Sequence, residues 1–313
     1  MLKKISAAFE WRFRVFKHKL NKRRWELKKN IDSSEKVKVK SLSIVVVGRN
    51  DNYGGDFSLR LKTSIDWNLS RFPSAELIYI EWNPLEDKPS DTIWMAERYP
   101  NCKLFIVPNE VHKQFGAKTN FPILEYFAKN LGIRKSSGEF IALINADVLL
   151  GLDISLETLS KKNIYGSHYT NINWQGETIT TEFLSNENII LSSAAAPFSL
   201  ESVVGNFVMT HRDNWITSTG YDESLTDVRN GVDDNGLKNL KHSGLKPIAL
   251  GHHYHLDHKE SLINGANKTH GSDERIKQLQ SGYNIPYKNK DSWGMNNHTF
   301  EQINSKTWKA KAL

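Results

Sequence analysis

Two carboxylates stand side by side at Asp233-Asp234, at the head of a segment that reads as a helix to Ser243, with Gly244 as its stop. A carboxylate there can take a proton from an attacking hydroxyl. It can equally do no more than complement the helix dipole. Upstream, Asn145-Ala146-Asp147 ends an apolar run. Two oxygen-bearing side chains one residue apart face the same way in extended chain. Both can therefore face one hard cation such as Mg²⁺ or Mn²⁺. Downstream, His252, His253, His255 and His258 gather four of the chain's eleven histidines. His255 or His258 can complete such a cation site through imidazole, whereas a single histidine is more often a surface or core residue.

Two further loops carry polar groups at strand ends. Gly48-Arg49-Asn50-Asp51 leads into Gly54-Gly55-Asp56. Arg49 can meet a phosphate and Asp51 a base or ribose; the plainer reading is a turn whose Asp56 caps the next helix. The loop lacks G-x-G-x-x-G spacing and a Walker-type lysine, which argues against a dinucleotide or P-loop site. Glu81 closes the second apolar run, where a carboxylate can accept from a ribose hydroxyl or a base imide.

These residues need a scaffold that brings strand ends together. Short β-branched runs at 42–48, 76–81, 103–107 and 139–144 alternate with helical patterns near 57–72, 91–98 and 121–134. A later strand at 205–210 precedes a short helix at 212–217. Alternation of this kind predicts an α/β fold with a mostly parallel sheet flanked by helices, and ligands beyond the carboxyl ends of the strands. A length of 313 residues, 39% hydrophobic and 25% charged, fits a globular chain of one large or two small domains. A lone cysteine, Cys102, allows no internal disulfide and reads as structural in a reducing compartment. No run of about eighteen apolar residues is present, and no signal-type apolar core, so the expected location is cytoplasmic.

The charge is uneven. The chain carries +7, yet residues 1–40 hold fourteen Lys/Arg against four Asp/Glu, leaving a mildly acidic body. Leu2, Ile5, Phe9, Phe13, Phe16 and Leu20 recur at helical spacing over 1–30. Such a basic amphipathic helix suits an anionic membrane surface, placing the protein peripherally on it; packing on the body or on a subunit is the alternative, and nucleic acid is the weaker partner. Residues 31–40 read as a linker.

The ordered series of segments resembles the GT-A glycosyltransferases, in particular the inverting family-two-like group with a galactosyltransferase-type C-terminal segment. Ser43–Asn50 is similar to that group's opening strand and nucleotide loop, and 76–81 to its second strand, whose terminal acid holds the base. Ala128-Lys129-Asn130 with Ser137-Gly138-Glu139 is similar to the segment leading into the metal strand. Asn145-Ala146-Asp147 stands in place of D-x-D. Gly205-Asn206-Phe207, Gly220-Tyr221-Asp222-Glu223 and Asp233-Asp234 resemble the acceptor and base segment.

The resemblance covers about residues 42–260. It implies a Rossmann-like GT-A domain over 41–260, with a nucleotide-binding half at 41–150 and an acceptor half at 151–260, between the basic arm of 1–40 and an extension at 261–313. It further implies a nucleotide-sugar donor, UDP-linked, bound by Arg49, Asn50, Asp51, Glu81, Lys129, Asn130 and Asn145. A divalent Mn²⁺ or Mg²⁺ would rest on Asp147 with His255 or His258. The base would come from Asp233-Asp234, Asp234 being preferred as the second of the pair, and the acceptor would be a glycan or a lipid-linked sugar. Trp174, Trp215 and Tyr221 are candidates for stacking on a sugar. Asn145 departs from the acid usual at its position, and the family's later arginine is missing near Leu240. A nucleotidyltransferase on a related fold, or a membrane-associated sugar-nucleotide binder without catalysis, are the rival readings.

Overall fold

The computed structural model describes residues 41–116, 121–157, 159–193, 205–228, 231–258 and 286–313. The helix expected over 1–30 and its linker lie outside the described residues.

The first apolar run forms β1 (Leu42–Gly48), every residue of which is buried. Its side chains alternate between two cores, as a strand covered on both faces requires. Val45 and Val47 pack on one side, and Ile44 and Val46 on the other. β2 (Glu76–Trp82) and β3 (Cys102–Val107) follow in parallel on one flank, and β4 (Phe140–Ile144) pairs in parallel on the other. The order β3-β2-β1-β4 places a topological switch between β1 and β4. Helices α1 (Phe57–Arg71) and α2 (Asp91–Arg98) contribute to the Ile44 side. After α3 (Asn109–Gly116), helix α4 (Glu125–Lys135) contributes to the Val45 side. The buried, free Cys102 belongs to the core.

Beyond β4 the pairing changes direction. β5 (Val148–Leu150), β6 (Asn163–Ile172), β7 (Ile190–Ser193), β8 (Phe207–His211) and β9 (Lys246–Leu256) build the second half. β8 is antiparallel to β4 and to β6, while β9 is parallel to β6 and antiparallel to β5. The short α5 (Thr181–Ser185) lies between β6 and β7; α6 (Arg212–Ser218) and α7 (Val232–His242) lie between β8 and β9.

The last described residues return to the opposite edge of the sheet. β10 (Phe300–Asn304) and β11 (Thr307–Ala310) form a hairpin, and β11 pairs in parallel with β3. Lys306 Nζ donates to Ala96 O at 2.7 Å across 210 positions of sequence. Ahead of this hairpin, Asn289 donates to Thr219 O and Tyr221 O, and Arg134 sits 4.1 Å from the Trp293 ring centre.

Candidate functional site

Asp147 follows β4 in a turn, not in extended chain: Val148 N–H donates to Asn145 O at 3.2 Å. Strand alternation therefore does not apply at Asn145 and Asp147, and the two side chains take different partners. Antiparallel pairing of β5 with β9 sets Val148 opposite His255, and Leu256 N–H donates to Asp147 O. His255 is thereby brought beside Asp147, and His258 follows two residues past the strand. His255 Nε2 lies 3.4 Å from Asp147 Oδ1, and His258 Nε2 lies 3.4 Å from Asp147 Oδ2. The three ligand atoms fall within 4.8 Å of one another. Arg60 Nε approaches the same carboxylate at 3.8 Å.

The hydrogen-bond network fixes the His255 tautomer. Asn171 Nδ2 donates to Asp257 Oδ1 at 3.0 Å, so Asn171 Oδ1 is the atom that faces His255 Nδ1, 2.8 Å away. Nδ1 must then carry the hydrogen, which leaves a bare lone pair on Nε2 when the ring is neutral. Burial lowers the His255 pKa against the opposing pull of Asp147. Burial would raise Asp147, but His255, His258 and Arg60 outweigh it and hold the carboxyl at about 2. With the His255 ring neutral, its Nε2 lone pair faces the Asp147 carboxylate at 3.4 Å. A cation satisfies both. One carboxylate oxygen and two imidazole nitrogens suit Mn²⁺ better than Mg²⁺, which prefers an all-oxygen shell.

The neighbouring histidines do other work. His252 Nδ1 lies 2.6 Å from Asp153 Oδ2, and His253 Nδ1 lies 2.7 Å from Ser167 Oγ with its ring fully buried. Burial pushes His253 down to about 3, so it is a neutral core residue.

A second polar cluster lies on the α4 side of the sheet. Lys129 is almost fully buried, paired with Glu125 at 2.7 Å. Its Nζ also reaches Asn145 Oδ1 at 3.4 Å and Gly205 O at 3.5 Å. Asn145 Nδ2 donates to Asn206 Oδ1. Of the acidic pair, Asp233 joins this cluster. A β-carbon on Gly205 would lie 2.7 Å from Asp233 Oδ2, which shows how closely the carboxylate approaches that backbone. Burial raises the Asp233 pKa, and Lys129 pulls it back. Asp234 occupies the same first turn of α7.

The remaining candidates divide into loop-shaping groups and exposed ones. Asn50 is buried; its amide donates to the carbonyls of Leu85, Lys88 and Pro89 and accepts from Leu85 N–H. Glu81 is fully buried, accepting from Ser90 Oγ and from Asp91 N–H at the head of α2, and burial raises its pKa to about 7. Asn130 holds the Gly220 turn through Tyr221 N–H, Tyr221 O and Glu223. Arg49 pairs with Asp51 at 2.8 Å and donates to Asn83 O, so these two stay at the mouth of the β1 loop, partly exposed. Asp56 does not cap α1; Asn52 Oδ1 receives Phe57 N–H instead. Trp215 and Tyr221 are core residues, each 1% exposed.

Sequence reading missed Arg60, Asn171 and Asp257. Arg60 donates to Tyr53 O at 2.6 Å and to Gly55 O, tying the glycine loop to Asp147. Arg60 and Asn171 lie inside regular elements, where nothing in the local pattern marks them.

A scan of protein-family models finds no match, and a search of curated proteins finds none. Among solved structures, the chain is similar to the mannosyltransferase PcManGT from Pyrobaculum calidifontis in complex with GDP-Man and Mn²⁺, at 14% identity and TM-score 0.43, over 82% of this chain and 68% of that one. It is similar to residues 1–349 of TarS from S. aureus at 11% identity and TM-score 0.42, over 69% and 60%. Against a further S. aureus TarS structure the values are 12% and 0.40, over 69% and 37%. The chain thus spans less than two thirds of either TarS chain, and all three likenesses are distant.

Proposed function

We propose that the protein is a metal-dependent, inverting glycosyltransferase that moves a sugar from a nucleotide-sugar donor, UDP-linked, to a glycan or lipid-linked acceptor. One juxtaposition carries the reading. A carboxylate-imidazole cation site follows β4, and two residues before Asp147 stands Asn145, in contact with a buried Lys129 whose charge also acts on Asp233. Both groups lie at the carboxyl end of β4, beside the switch point where α/β sheets bind ligands.

A divalent cation held by Asp147, His255 and His258 would supply charge neutralisation for the departing diphosphate. Asp233 takes the proton of the acceptor hydroxyl, its basicity raised by burial. Lys129 adds positive charge on the same side. A single displacement inverts the anomeric centre. Arg49 and Asp51 bind donor at the rim, while Asn50, Glu81 and Asn130 hold the loops that shape the site. The basic residues 1–30 would hold the enzyme at an anionic membrane where a lipid-linked acceptor resides.

The test is release of nucleoside diphosphate from UDP- and GDP-sugars with Mn²⁺, with Mg²⁺ and with chelator. Cation-dependent release, abolished by Asp147→Ala and Asp233→Asn, supports the reading. Binding of nucleotide-sugar without turnover would favour the non-catalytic binder, for which Asn145 in place of an acid speaks.

A further inference from the structure

The Gly220 turn is gripped from two sides. From α4, Asn130 Oδ1 accepts Tyr221 N–H at 2.7 Å, and its Nδ2 donates to Tyr221 O at 2.8 Å. From the stretch ahead of the edge hairpin, Asn289 commits its whole side-chain amide to the same turn. Its Nδ2 donates to Thr219 O at 2.8 Å and to Tyr221 O at 2.6 Å, and its Oδ1 accepts Glu223 N–H at 2.9 Å. Two carbonyls and one N–H leave the amide a single orientation. The Asn289 N–H donates to Thr219 Oγ1 at 2.9 Å. Tyr287 Oη adds a bond to Gly220 O at 2.7 Å, and Gly294 N–H one to Glu223 Oε1 at 2.8 Å. The backbone explains why such a grip is needed. Thr219 and Gly220 are consecutive left-handed residues, at φ +61° and +67°. A β-branched residue rarely adopts that conformation and keeps it only where its surroundings enforce it.

The turn in its place sets Tyr221. A β-carbon on Gly236 would collide with the buried Tyr221 ring, so the ring bears directly on the backbone of α7. Gly236 is three residues past Asp233, a neighbour on the helix surface. The same ring lies 5.0 Å from that of Tyr126 on α4, which lies 5.2 Å from Lys129 Nζ. The Tyr221 ring thus spaces the helix that carries Asp233 from the helix that carries Lys129.

We infer that Asn289 is a positioning residue for Asp233: it locks the turn over 219–221 so that the Tyr221 ring holds α7 at its working distance from α4. The inference rests on the reading of Asp233 as the base. Residues 286–298 then belong to the working unit of the enzyme, although they lie past the segments that form the site.

The test is kinetic. Asn289→Ala should lower kcat for nucleoside diphosphate release from a UDP- or GDP-hexose by about tenfold or more, with Mn²⁺ affinity and donor KM held within about twofold. Asn289→Asp keeps the volume and the acceptor for Glu223 N–H but loses both donors; it should follow the alanine variant, and it replaces that variant if alanine prevents folding. Lys288→Ala, exposed on the same stretch, should leave kcat unaltered. A double-mutant cycle separates positioning from a role in folding alone. In an Asp233→Asn background, the Asn289 substitution should cost less than about twofold, because the group it positions is gone. An equal loss in both backgrounds, or an unaltered kcat in the Asn289 variants, overturns the inference. Failure of the parent reading looks different: the unaltered chain then releases no nucleoside diphosphate. Carboxylate NMR titration, with Asp233 assigned through Asp233→Asn, still reads the placement of that group. Its midpoint should move in the Asn289 variants and hold in Lys288→Ala; one midpoint common to all of these chains overturns the inference.

Discussion

A β-carbon on Gly54 would stand 2.6 Å from Nδ1 of His258. The glycine is therefore part of what seats the imidazole against Asp147. Its φ of +70° adds a backbone reason for glycine.

Gly54→Ala should displace His258 and weaken Mn²⁺ binding by about tenfold or more, at a stability cost of about 1 kcal/mol from the positive φ. Gly55→Ala is the control. Its φ is +73° but its β-carbon would meet nothing within 4 Å, so it should carry the backbone cost and leave Mn²⁺ affinity unaltered. Equal Mn²⁺ affinity in both variants would refute the seating role.

Asn171→Leu removes the acceptor that fixes the His255 tautomer. Loss of such a partner typically costs about 10–100-fold in metal affinity. Calorimetric titration with Mn²⁺ should show that loss, and Asp257→Ala, which frees Asn171 to turn, should show a smaller one.

Asp233→Asn should lower kcat by about 10²–10⁴-fold while Mn²⁺ affinity holds. Asp234→Asn should cost much less. Because burial raises the Asp233 pKa, kcat should fall as pH drops through that raised value, and the acid limb should vanish in Asp233→Asn. A larger loss in Asp234→Asn would hand the role to the second aspartate.

Glu81 gives a pH signature in stability. Its pKa is about 7 in the fold against 4.5 for the exposed group. Between those values the folded chain holds a proton that the unfolded chain has released. Its contribution to stability is thus full below about pH 4.5 and falls away as pH rises to about 7. Denaturant titrations at pH 5 and pH 8 should show the unaltered chain losing about 1–3 kcal/mol more across that interval than Glu81→Gln. Identical pH dependence in the two chains would show that the buried carboxyl stays ionised throughout.

Much of the scaffold could be read in the sequence because its signal is local. β1 lies where the apolar run 42–48 put it, α2 covers the expected 91–98, and the strand at 76–81 gains one residue, Trp82. Each rests on a run of neighbours with one periodicity. The meeting of Asp147 with His255 and His258 could be anticipated from residue type and strand-end position, though not their spacing. The roles of Asn50, Glu81 and Asn130 could not. Asn50 is held by groups 35–39 positions away and Asn130 by groups 91–93 away, and no local pattern encodes such partners. The turn after Asn145 likewise depends on Asn206, whose carbonyl accepts the Asn145 N–H. The edge hairpin β10-β11 lies in a stretch from which no element was expected.

That hairpin has a consequence for how the chain is made. The outer edge of β3 remains uncovered until residues 307–310 have left the ribosome, because β11 is its partner on that side. The β3 side of the sheet therefore waits, while residues 108–306 are made, with a row of unpaired backbone groups at one margin, a template for pairing with other nascent chains. Closure arrives late and from far along the chain, the kind of contact that slows folding. Yield in a cell should accordingly depend on chaperone supply, and most of all when β11 is weakened.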